Sequence, residues 1–555
     1  MSKLTDFTHY YTNSELETFI FDAEKNYPEF ITVESVGKSY ENRDIWAVTI
    51  TNKKTGSHDE KPAIYIDGNI HAGEVTASMV CLKIIDYLTK SYESDSKARH
   101  LMDTKTFYVL PRVNPDGAEN YLTTPYTLRS SVRPYPENNI IDLPGLHPED
   151  INNDGMILQM RVRDDKKGEW KISKKDSRVM LPRQPGERNG PFYRIYTEGF
   201  IKDYDDMEFD FHKTPWGLDL NRNFPSNFDK DNISAGPYPT SEPEAKTIVD
   251  FILNHKNIGL LNCFHTTGGF YFRNPYTYSD EEMDQEDLRA TIEIAREGFY
   301  ATGYSDVKSN NRSTLTEWAY EHLGIIGYTT ELWDRQNRAG LTGEQVHNPK
   351  NIEEMEEVEI KLLTWNDREL SGKGFYNWTK FDHPQLGDVE IGGWDHKEAV
   401  QNPPRHLLDQ ECYKNAHWAL NQASALPEAQ ISDASYDKIS DKVYKITIKC
   451  ENHGYLPTHI TNKGKDIKAS KEDRVSLSSF SGNVEFLSGK SDDEIGFIAG
   501  YMNGQQKQYF SFGQPAKNSQ HYSWIIKLES IPQKLEVKLI SSRGGTDTKE
   551  LNITE

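Results

Sequence analysis

Apolar positions repeat with two different periods along the first 420 residues of the chain. Spacings of three and four, as at Val75, Met79, Leu82 and Ile85, predict helices. Short continuous apolar runs between turn residues predict strands. In order, the pattern predicts a helix at 13–26, two strands within 31–50, a strand at 63–66, a helix from residue 75 and a strand at 107–110. Strands alternating with helices predict an α/β fold with a mixed, largely parallel central sheet flanked by helices.

The same alternation returns after residue 240. It predicts a strand ending at His265, a helix near 285–301, a strand ending at Glu331 and a closing helix at 407–420. Two stretches, at about 146–213 and 334–396, interrupt it with irregular, charged sequence. We interpret both as insertions into the α/β domain.

After Ala425 the apolar period changes to two, as in Tyr444, Ile446, Ile448 and Cys450. Short alternating strands separated by turns predict an antiparallel β-sandwich. A chain of 555 residues also exceeds what one hydrophobic core usually supports. The sequence therefore predicts two domains, a catalytic domain at 1–427 and an accessory sandwich at 434–555.

The formal net charge of −22 argues against nucleic-acid binding, which needs a basic surface, and mildly against binding to an anionic membrane. The first residues lack the basic start and apolar core of a secretory signal, and no apolar run is long enough to span a bilayer. The four cysteines are widely scattered. We expect a soluble cytoplasmic protein without disulfides, with export by a non-classical route left open.

Chemically active side chains follow several predicted strands. His71 and Glu74 lie three residues apart after the strand at 63–66, a spacing that brings them to one face of a helical turn. His265 and Glu331 stand at the ends of two later strands, and strand ends of a parallel sheet converge on one crevice. Two histidines and a glutamate form a catalytic zinc site that leaves one position for water. Glu331 then remains as a general base.

An arginine and an asparagine are adjacent in the segment LDLNRNF, at Asn221 and Arg222. A guanidinium fork beside an amide suits recognition of a substrate carboxylate. We expect the neighbouring Asp219 to be structural rather than catalytic.

The first insertion contains a segment similar to the start of a calcium loop, with Asp150, Asn152 and Asp154 at alternate positions. Arg161 occupies the twelfth position, where such loops have a bidentate glutamate. A structural Ca2+ site and a solvated acidic turn both stay open, and the turn is the favoured interpretation.

Taken together, the motifs resemble those of the zinc carboxypeptidases of the carboxypeptidase A type, in a bacterial-like form with an appended β-sandwich. The similarity covers roughly residues 8–420. It is carried by SVGKSYENRDIW, GNIHAGE, NPDG, LDLNRNF, SEPEA, the strand-end His265 and YTTEL.

The resemblance implies a role for each matching residue. His71, Glu74 and His265 correspond to the ligands of one Zn2+, and Glu331 to the base that takes a proton from water. Asn221 and Arg222 correspond to the clamp on the C-terminal carboxylate of a peptide, Arg129 to the arginine that polarises the scissile carbonyl, and Thr316 to a position in the pocket for the C-terminal side chain.

Two of these assignments have competitors in the sequence. Arg112 and Arg133 lie close enough along the chain to compete with Arg129. Arg312, just before Thr316, suggests the hypothesis of a preference for acidic C-terminal residues.

The chain also departs from the family pattern. Gly73 replaces an arginine between the first two ligands, so a contact to the substrate backbone is missing or made elsewhere. Thr266 replaces a serine after the third ligand. The family's mobile tyrosine falls near Ser309, with Tyr304 and Tyr320 as candidate substitutes.

The leading functional hypothesis is a zinc exopeptidase that removes C-terminal residues from peptides with a free C-terminus. The alternatives are a zinc amidase acting on cell-wall peptides or acylated amino acids, and a non-catalytic binding protein on the same scaffold. No nucleic-acid or membrane partner is expected, and the sandwich is assigned three candidate roles: folding support, oligomer contact or substrate collar.

Overall fold

The structure is a computed structural model that describes residues 6–135, 143–205, 207–211, 216–504, 507–508, 511–512 and 515–554. Its strands are β1 (Ile31–Lys38), β2 (Asp44–Ile50), β3 (Ala63–Gly68), β4 (Thr106–Leu110), β5 (Gly145–Pro148), β6 (Gln159–Arg163), β7 (Trp170–Ile172), β8 (Met180–Pro182), β9 (Tyr193–Thr197), β10 (Gly199–Lys202), β11 (Ile258–Thr266), β12 (Phe270–Arg273), β13 (Ser305–Lys308), β14 (Ile326–Leu332), β15 (Phe375–His383), β16 (Gly387–Trp394), β17 (Ala429–Ser440), β18 (Val443–Asn452), β19 (Asp473–Ser479), β20 (Val484–Ser488), β21 (Asp492–Gly496), β22 (Lys507–Gln508), β23 (Ser511–Phe512), β24 (Ser519–Leu528), β25 (Gln533–Ser541) and β26 (Gly545–Ile553). Its α-helices are α1 (Asn13–Asn26), α2 (Val75–Ser91), α3 (Ser96–Thr104), α4 (Pro115–Thr123), α5 (Pro243–Asn254), α6 (Gln285–Thr302), α7 (Leu315–Leu323), α8 (Arg335–Arg338), α9 (Gly343–His347), α10 (Ile352–Glu369), α11 (Arg405–Ser424) and α12 (Asn462–Asp466).

The central sheet has eight strands in the order β1-β2-β4-β3-β11-β14-β12-β13. Its four middle strands, β4, β3, β11 and β14, are parallel to one another, whereas β1, β2 and β12 pair antiparallel. This arrangement confirms the predicted mixed, largely parallel sheet. The carboxyl ends of the parallel strands share one edge, which is where such sheets bind ligands.

Helices cover both faces of this sheet because successive strand residues point to opposite sides. On one face α1, α2, α3, α6 and α11 pack on residues that include Ile64, Ile66, Leu260 and Phe264. On the other face α5 and α7 pack on residues that include Ala63, Tyr65, Leu261 and Cys263. Within the described ranges, none of the helices has the length and apolar character needed to cross a bilayer.

The two stretches interpreted as insertions contain regular secondary structure, although their sequence pattern is irregular. Strands β6–β9 of the first and β15–β16 of the second build one six-stranded antiparallel sheet, in the order β15-β16-β6-β9-β7-β8. The link is the pairing of β16 with β6, for example Val389 with Val162. Strands β6–β9 are only three to five residues long and carry little periodic signal, and the link from β6 to β16 joins segments far apart in the sequence.

The segment predicted as a candidate calcium loop folds as a self-bonded turn. The Asp150 carboxylate accepts from the backbone N–H groups of Asp154 and Gly155, at 3.1 and 2.9 Å. Asn152 donates from its side chain to the Asp154 carboxylate at 2.9 Å. Because the acidic groups are satisfied within the turn and position twelve is Arg161, the structure gives no support to Ca2+ and favours the acidic turn.

After residue 428 the chain forms a β-rich domain of two four-stranded antiparallel sheets, β17-β18-β24-β20 and β21-β19-β25-β26. Buried residues of both sheets form one core that includes Tyr444, Ile446, Ile448, Val475, Leu477, Trp524 and Val537. The predicted period-two strands are thus confirmed as the two layers of a sandwich.

The β-rich domain covers the amino ends of the parallel strands. Arg543 donates to the backbone oxygen of Leu323 at 2.8 Å, and Thr461 donates to that of Gly324 at 2.7 Å, just before β14 begins. Lys538 donates to the carboxylate of Glu60 at 3.1 Å, three residues before β3 begins. These contacts lie at the edge of the sheet opposite the carboxyl ends.

Candidate metal centre

The three predicted ligands meet at the carboxyl edge of the sheet. His71 and Glu74 lie in the loop between β3 and α2, and His265 lies near the end of β11, which is paired with β3. One nitrogen or oxygen atom from each of the three lies within 4.8 Å of the others, and all three side chains are buried. In the described part of the chain, no other group of three His, Cys, Asp or Glu side chains is gathered in this way.

Polar side chains hold the loop that carries the first two ligands. Asn69 adopts a left-handed backbone conformation with φ of 63°, which Asn tolerates better than most residues. Its side chain donates to the backbone oxygens of His71 and Ala72, at 2.7 and 3.1 Å. Asn114 and Ser130 donate to the backbone oxygen of Ile70. The loop is therefore fixed before any ligand binds.

The arrangement of these atoms fits a cation. Nδ1 of His71 lies 3.0 Å from Nδ1 of His265, and Oε1 of Glu74 lies 2.9 Å from Nδ1 of His71. Oε2 of Glu74 is buried without a hydrogen bond, although it is only 2.9 Å from Nδ1 of His265. Burial alone would raise the pKa of Glu74, but the two imidazoles lower it well below its usual value. An ionised carboxylate facing two imidazole nitrogens is a donor set for Zn2+.

Asp219 and Arg129 lie beside this cluster. Oδ1 of Asp219 is 3.0 Å from Nε2 of His71, which fixes the proton on Nε2 and turns Nδ1 towards the other ligands. Arg129 donates from Nε to Oδ2 of Asp219 at 3.2 Å, and its Nη1 lies 3.4 Å from Oε1 of Glu74. Burial opposes ionisation of Asp219, but His71 and Arg129 together hold its pKa well below the usual value.

Glu331 stands directly beside the third ligand. In the parallel pairing of β11 with β14, His265 is the partner of Glu331. The Glu331 side chain is half-buried and makes no hydrogen bond with the described residues. Burial and the nearby Glu74 raise its pKa, against the opposing effect of His71, Arg129 and Arg222. A carboxylate with a raised pKa at this position is suited to accept and return a proton.

Asn221 and Arg222 form one helical turn, Leu220–Arg222, on the face of the sheet covered by α5 and α7. Oδ1 of Asn221 accepts from the backbone N–H of Leu315 at 3.1 Å. Arg222 donates to the backbone oxygen of Asn221 at 2.7 Å and to the side chain of Asn311 at 3.0 Å. These bonds orient the guanidinium and leave further N–H groups of the fork for a carboxylate.

The sequence profile of a family described as zinc carboxypeptidases matches residues 16–358. The chain belongs to the zinc carboxypeptidase family. A second profile, of a domain of unknown function, matches residues 428–552.

Relatives of this zinc carboxypeptidase chain share limited identity with it. A zinc carboxypeptidase from Saccharothrix mutabilis subsp. capreolus is 30% identical over 118 residues, which is 21% of this chain and 27% of that protein. Carboxypeptidase B from Astacus astacus is 24% identical over 367 residues, 64% of this chain and 96% of that protein. A crystal structure of thrombin activatable fibrinolysis inhibitor aligns at 17% identity and a TM-score of 0.43, over 76% of each chain. The chain thus spans about a quarter of the first relative's length.

The competing arginines of this zinc carboxypeptidase chain are engaged elsewhere. Arg112 is buried and donates to the backbone oxygen of Tyr11 at 2.7 Å and to Asn13 at 2.9 Å. Arg133 pairs with Glu242 at 2.6 Å. Of the three candidates, Arg129 is the one whose guanidinium contacts a predicted ligand.

The candidate tyrosines do not reach the metal centre. Tyr304 is buried, donates to the carboxylate of Glu411 and accepts from the backbone N–H of Trp333 at 3.0 Å. Tyr320 is buried and donates to Asp287 at 3.0 Å. Both hydroxyls are committed to structural hydrogen bonds, so neither is arranged to cover a substrate.

Thr316 lies fully buried in a cluster of hydroxyl groups. Its Oγ1 donates to the hydroxyl of Tyr276 at 2.7 Å and lies 3.3 Å from Oγ1 of Thr329. Arg312, by contrast, is exposed and lies outside this cluster.

Residues just after the second insertion also reach the metal loop, and no sequence pattern indicates them. Asn402 donates to the backbone oxygen of Gly73 at 2.8 Å and accepts from the backbone N–H of Thr76 at 3.1 Å. A Cβ atom at position 73 would lie 2.5 Å from Oε1 of Gln401 and 2.6 Å from Cε2 of Tyr121. A larger residue at position 73 would therefore displace Gln401 and the Tyr121 ring, which favours glycine where the family resemblance leads one to expect an arginine. No signal in residues 395–402 marks them as neighbours of a loop more than three hundred residues earlier.

Proposed function

We propose that this chain is a zinc-dependent exopeptidase that hydrolyses the C-terminal peptide bond of peptides with a free C-terminus. His71, Glu74 and His265 bind the metal in this proposal, and Glu331 acts as general base and acid. Asn221 and Arg222 bind the substrate carboxylate, and Arg129 stabilises negative charge on the scissile carbonyl oxygen.

The observation that carries the proposal is the convergence of four buried or half-buried groups at one sheet edge. Two imidazoles and an ionised carboxylate face one another, and a second carboxylate with a raised pKa stands on the adjacent strand. Such a set has no evident structural purpose, because buried groups that cannot satisfy one another destabilise the fold. A bound metal relieves this conflict.

The proposed reaction needs one proton carrier. Zinc, when bound, supplies the Lewis acidity that makes water a nucleophile near neutral pH. Glu331 takes a proton from the attacking water and delivers it to the leaving amine, so one carboxylate serves both halves of the reaction. Arg129, fixed by Asp219 and Glu74, donates to the carbonyl oxygen as it becomes negative.

The pocket for the C-terminal side chain is proposed to end at Thr316. The hydroxyl groups of Thr316, Tyr276 and Thr329 are uncharged and already bonded to one another. They support a preference for an uncharged C-terminal residue over the acidic residue that the exposed Arg312 would favour, because a buried charge without a partner is costly.

We also propose that residues 1–427 are the catalytic domain and that residues 434–555 support its folding. The contacts of Arg543, Thr461 and Lys538 lie at the sheet edge opposite the metal centre, which favours a support over a substrate collar. Removal of residues 431–555 should yield aggregated protein, because the amino edge of the sheet becomes exposed. A soluble and fully active truncated protein would exclude the folding role.

The proposed activity is tested with a pool of peptides in free-acid and amidated forms, followed by mass spectrometry with and without a zinc chelator. We expect loss of single C-terminal residues from free-acid peptides, abolished by chelator and by Glu331→Gln. Asp250→Asn, on the exposed side of α5, is the control with unchanged activity. No shortening by the zinc-loaded protein would redirect attention to amides of cell-wall peptides or acylated amino acids, or to a binding role.

A further inference from the structure

A short segment crosses from the metal loop to the strand end that carries Glu331. We call residues 395–403 the strap; it contains a π-helix at His396–Gln401. At one end Asn402 bonds the backbone of Gly73 and Thr76, next to the metal ligands. In its middle the backbone oxygen of Ala399 accepts from the indole of Trp333 at 3.1 Å, two residues after Glu331. π-Helical turns are rare and often occur at functional sites.

One side chain of the strap takes the space above Gly73. Oε1 of Gln401 accepts from the hydroxyl of Tyr121 at 3.2 Å, which fixes the orientation of the carboxamide. The side chain is half-buried, and its Nε2 makes no hydrogen bond with the described residues. The carboxamide of Gln401 thus stands beside the loop between the ligands His71 and Glu74, and its Nε2 has no hydrogen-bond partner among the described residues.

The strap and the carboxylate clamp lie on opposite sides of the metal centre. Asn221 bonds the first residue of α7, so the clamp belongs to the sheet face covered by α5 and α7. Gly73 and Thr76 lie on either side of the first residue of α2, and the strap leads into α11. Gln401 therefore belongs to the opposite face, which α2 and α11 cover. A peptide with its carboxylate on the clamp and its scissile carbonyl at the metal therefore extends its amino-terminal part towards Gln401.

We propose that Gln401 is a substrate-binding residue that donates from Nε2 to the peptide carbonyl one amide bond before the scissile bond. This inference rests on the proposed exopeptidase function and narrows its substrate class. The enzyme then favours substrates with at least two amide bonds over simple acylated amino acids, which have no carbonyl at that position.

The test compares two substrates that differ by one residue, acetyl-Xaa and acetyl-Ala-Xaa, where Xaa is the C-terminal residue released fastest. Full-length, zinc-loaded Gln401→Ala and Gln401→Glu proteins are assayed, the second keeping the side-chain volume without the donor. Glu398→Gln is the matched control, because Glu398 lies on the same strap but pairs outward with Arg405. Thermal melting checks that each variant is folded.

We expect KM for acetyl-Ala-Xaa to rise about fivefold in both Gln401 variants, the effect of one lost hydrogen bond, with kcat nearly unchanged. Kinetics on acetyl-Xaa and in Glu398→Gln should match the wild type. Equal losses on both substrates, or no loss on acetyl-Ala-Xaa, would overturn the inference.

Calorimetry measures how tightly Glu331→Gln protein binds acetyl-Xaa and acetyl-Ala-Xaa, and so compares the two compounds without turnover. If the wild type hydrolyses neither compound, the proposed function fails on the kinetics, and the calorimetry still decides the role of Gln401. The role of Gln401 is supported if Glu331→Gln protein binds acetyl-Ala-Xaa more tightly than acetyl-Xaa and the double variant with Gln401→Ala does not. Equal binding of the two compounds by Glu331→Gln protein, or no binding of either, overturns that role.

Discussion

The contact between Asp219 and His71 gives a quantitative prediction about zinc affinity. Replacing Asp219 with Asn preserves the shape of a side chain that is only 10% exposed but removes its charge. The carboxylate, which can only accept, takes a hydrogen bond from Nε2 of His71 at 3.0 Å. It therefore holds the imidazole proton on Nε2 and keeps Nδ1 free for the metal. An amide can also turn its NH2 group towards Nε2, which moves the proton to Nδ1 and blocks the metal-binding nitrogen.

The size of the effect follows from the bonds that change. A hydrogen bond to a charged group contributes about 1.5–3 kcal/mol, against about 1 kcal/mol for a neutral one. The expected loss is therefore about 0.5–2 kcal/mol, or a zinc affinity about 2- to 30-fold lower, since about 1.4 kcal/mol corresponds to a factor of ten. Asp219→Ala, which leaves His71 without any partner at Nε2, should approach a 100-fold loss, the upper range for such supporting groups.

Zinc affinity is measured by competition with a chelating indicator of known affinity, on wild type, both Asp219 variants and the exposed Asp250→Asn control. The control should bind as the wild type does, because Asp250 pairs with Lys246 on the far side of α5. Wild-type affinity in folded Asp219→Ala protein would refute the reasoning, because His71 would then not need the carboxylate to act as a ligand.

Three further predictions follow from other contacts. Glu331→Gln should lower kcat at least 100-fold while zinc stays bound, and retained turnover would identify another base. Arg222→Ala should raise KM for free-acid peptides but not for amidated ones; equal effects on both would place the carboxylate elsewhere. Burial raises the pKa of Glu244 to about 7, so the wild type should lose about 3 kcal/mol of stability as the pH rises from about 4.5 to 7, whereas Glu244→Gln should not. Denaturant titrations at pH 4 and pH 8 measure this difference, and parallel profiles would contradict it.

The sequence was most informative where local pattern and chemistry agree. The helix predicted at 13–26 and the strands around 63–66 and 107–110 form as expected, because their apolar positions follow one period over a whole element. The meeting of His71, Glu74 and His265 also follows from strand-end placement in a parallel sheet.

The features that the sequence does not predict depend on contacts between segments that are far apart along the chain. The six-stranded sheet of the two insertions forms only when β6 pairs with β16, and the sequence of neither strand indicates that pairing. Gln401 and Asn402 reach Gly73 only after the whole fold is in place. Gly73 departs from the pattern of the family, and the crowding by Gln401 and Tyr121 that explains it is a property of packing and not of the local sequence.

The pairing of β6 with β16 has a consequence for how the chain is made. The first insertion leaves the ribosome with one edge of β6 unpaired, and β16 follows only after roughly two hundred further residues. At synthesis rates of about 5–20 residues per second, that edge stays open for roughly 10–45 s. Unpaired strand edges promote aggregation, so nascent chains halted before residue 387 should depend on chaperones for solubility. The strap emerges after β16, so Gln401 is among the last residues to join the metal centre.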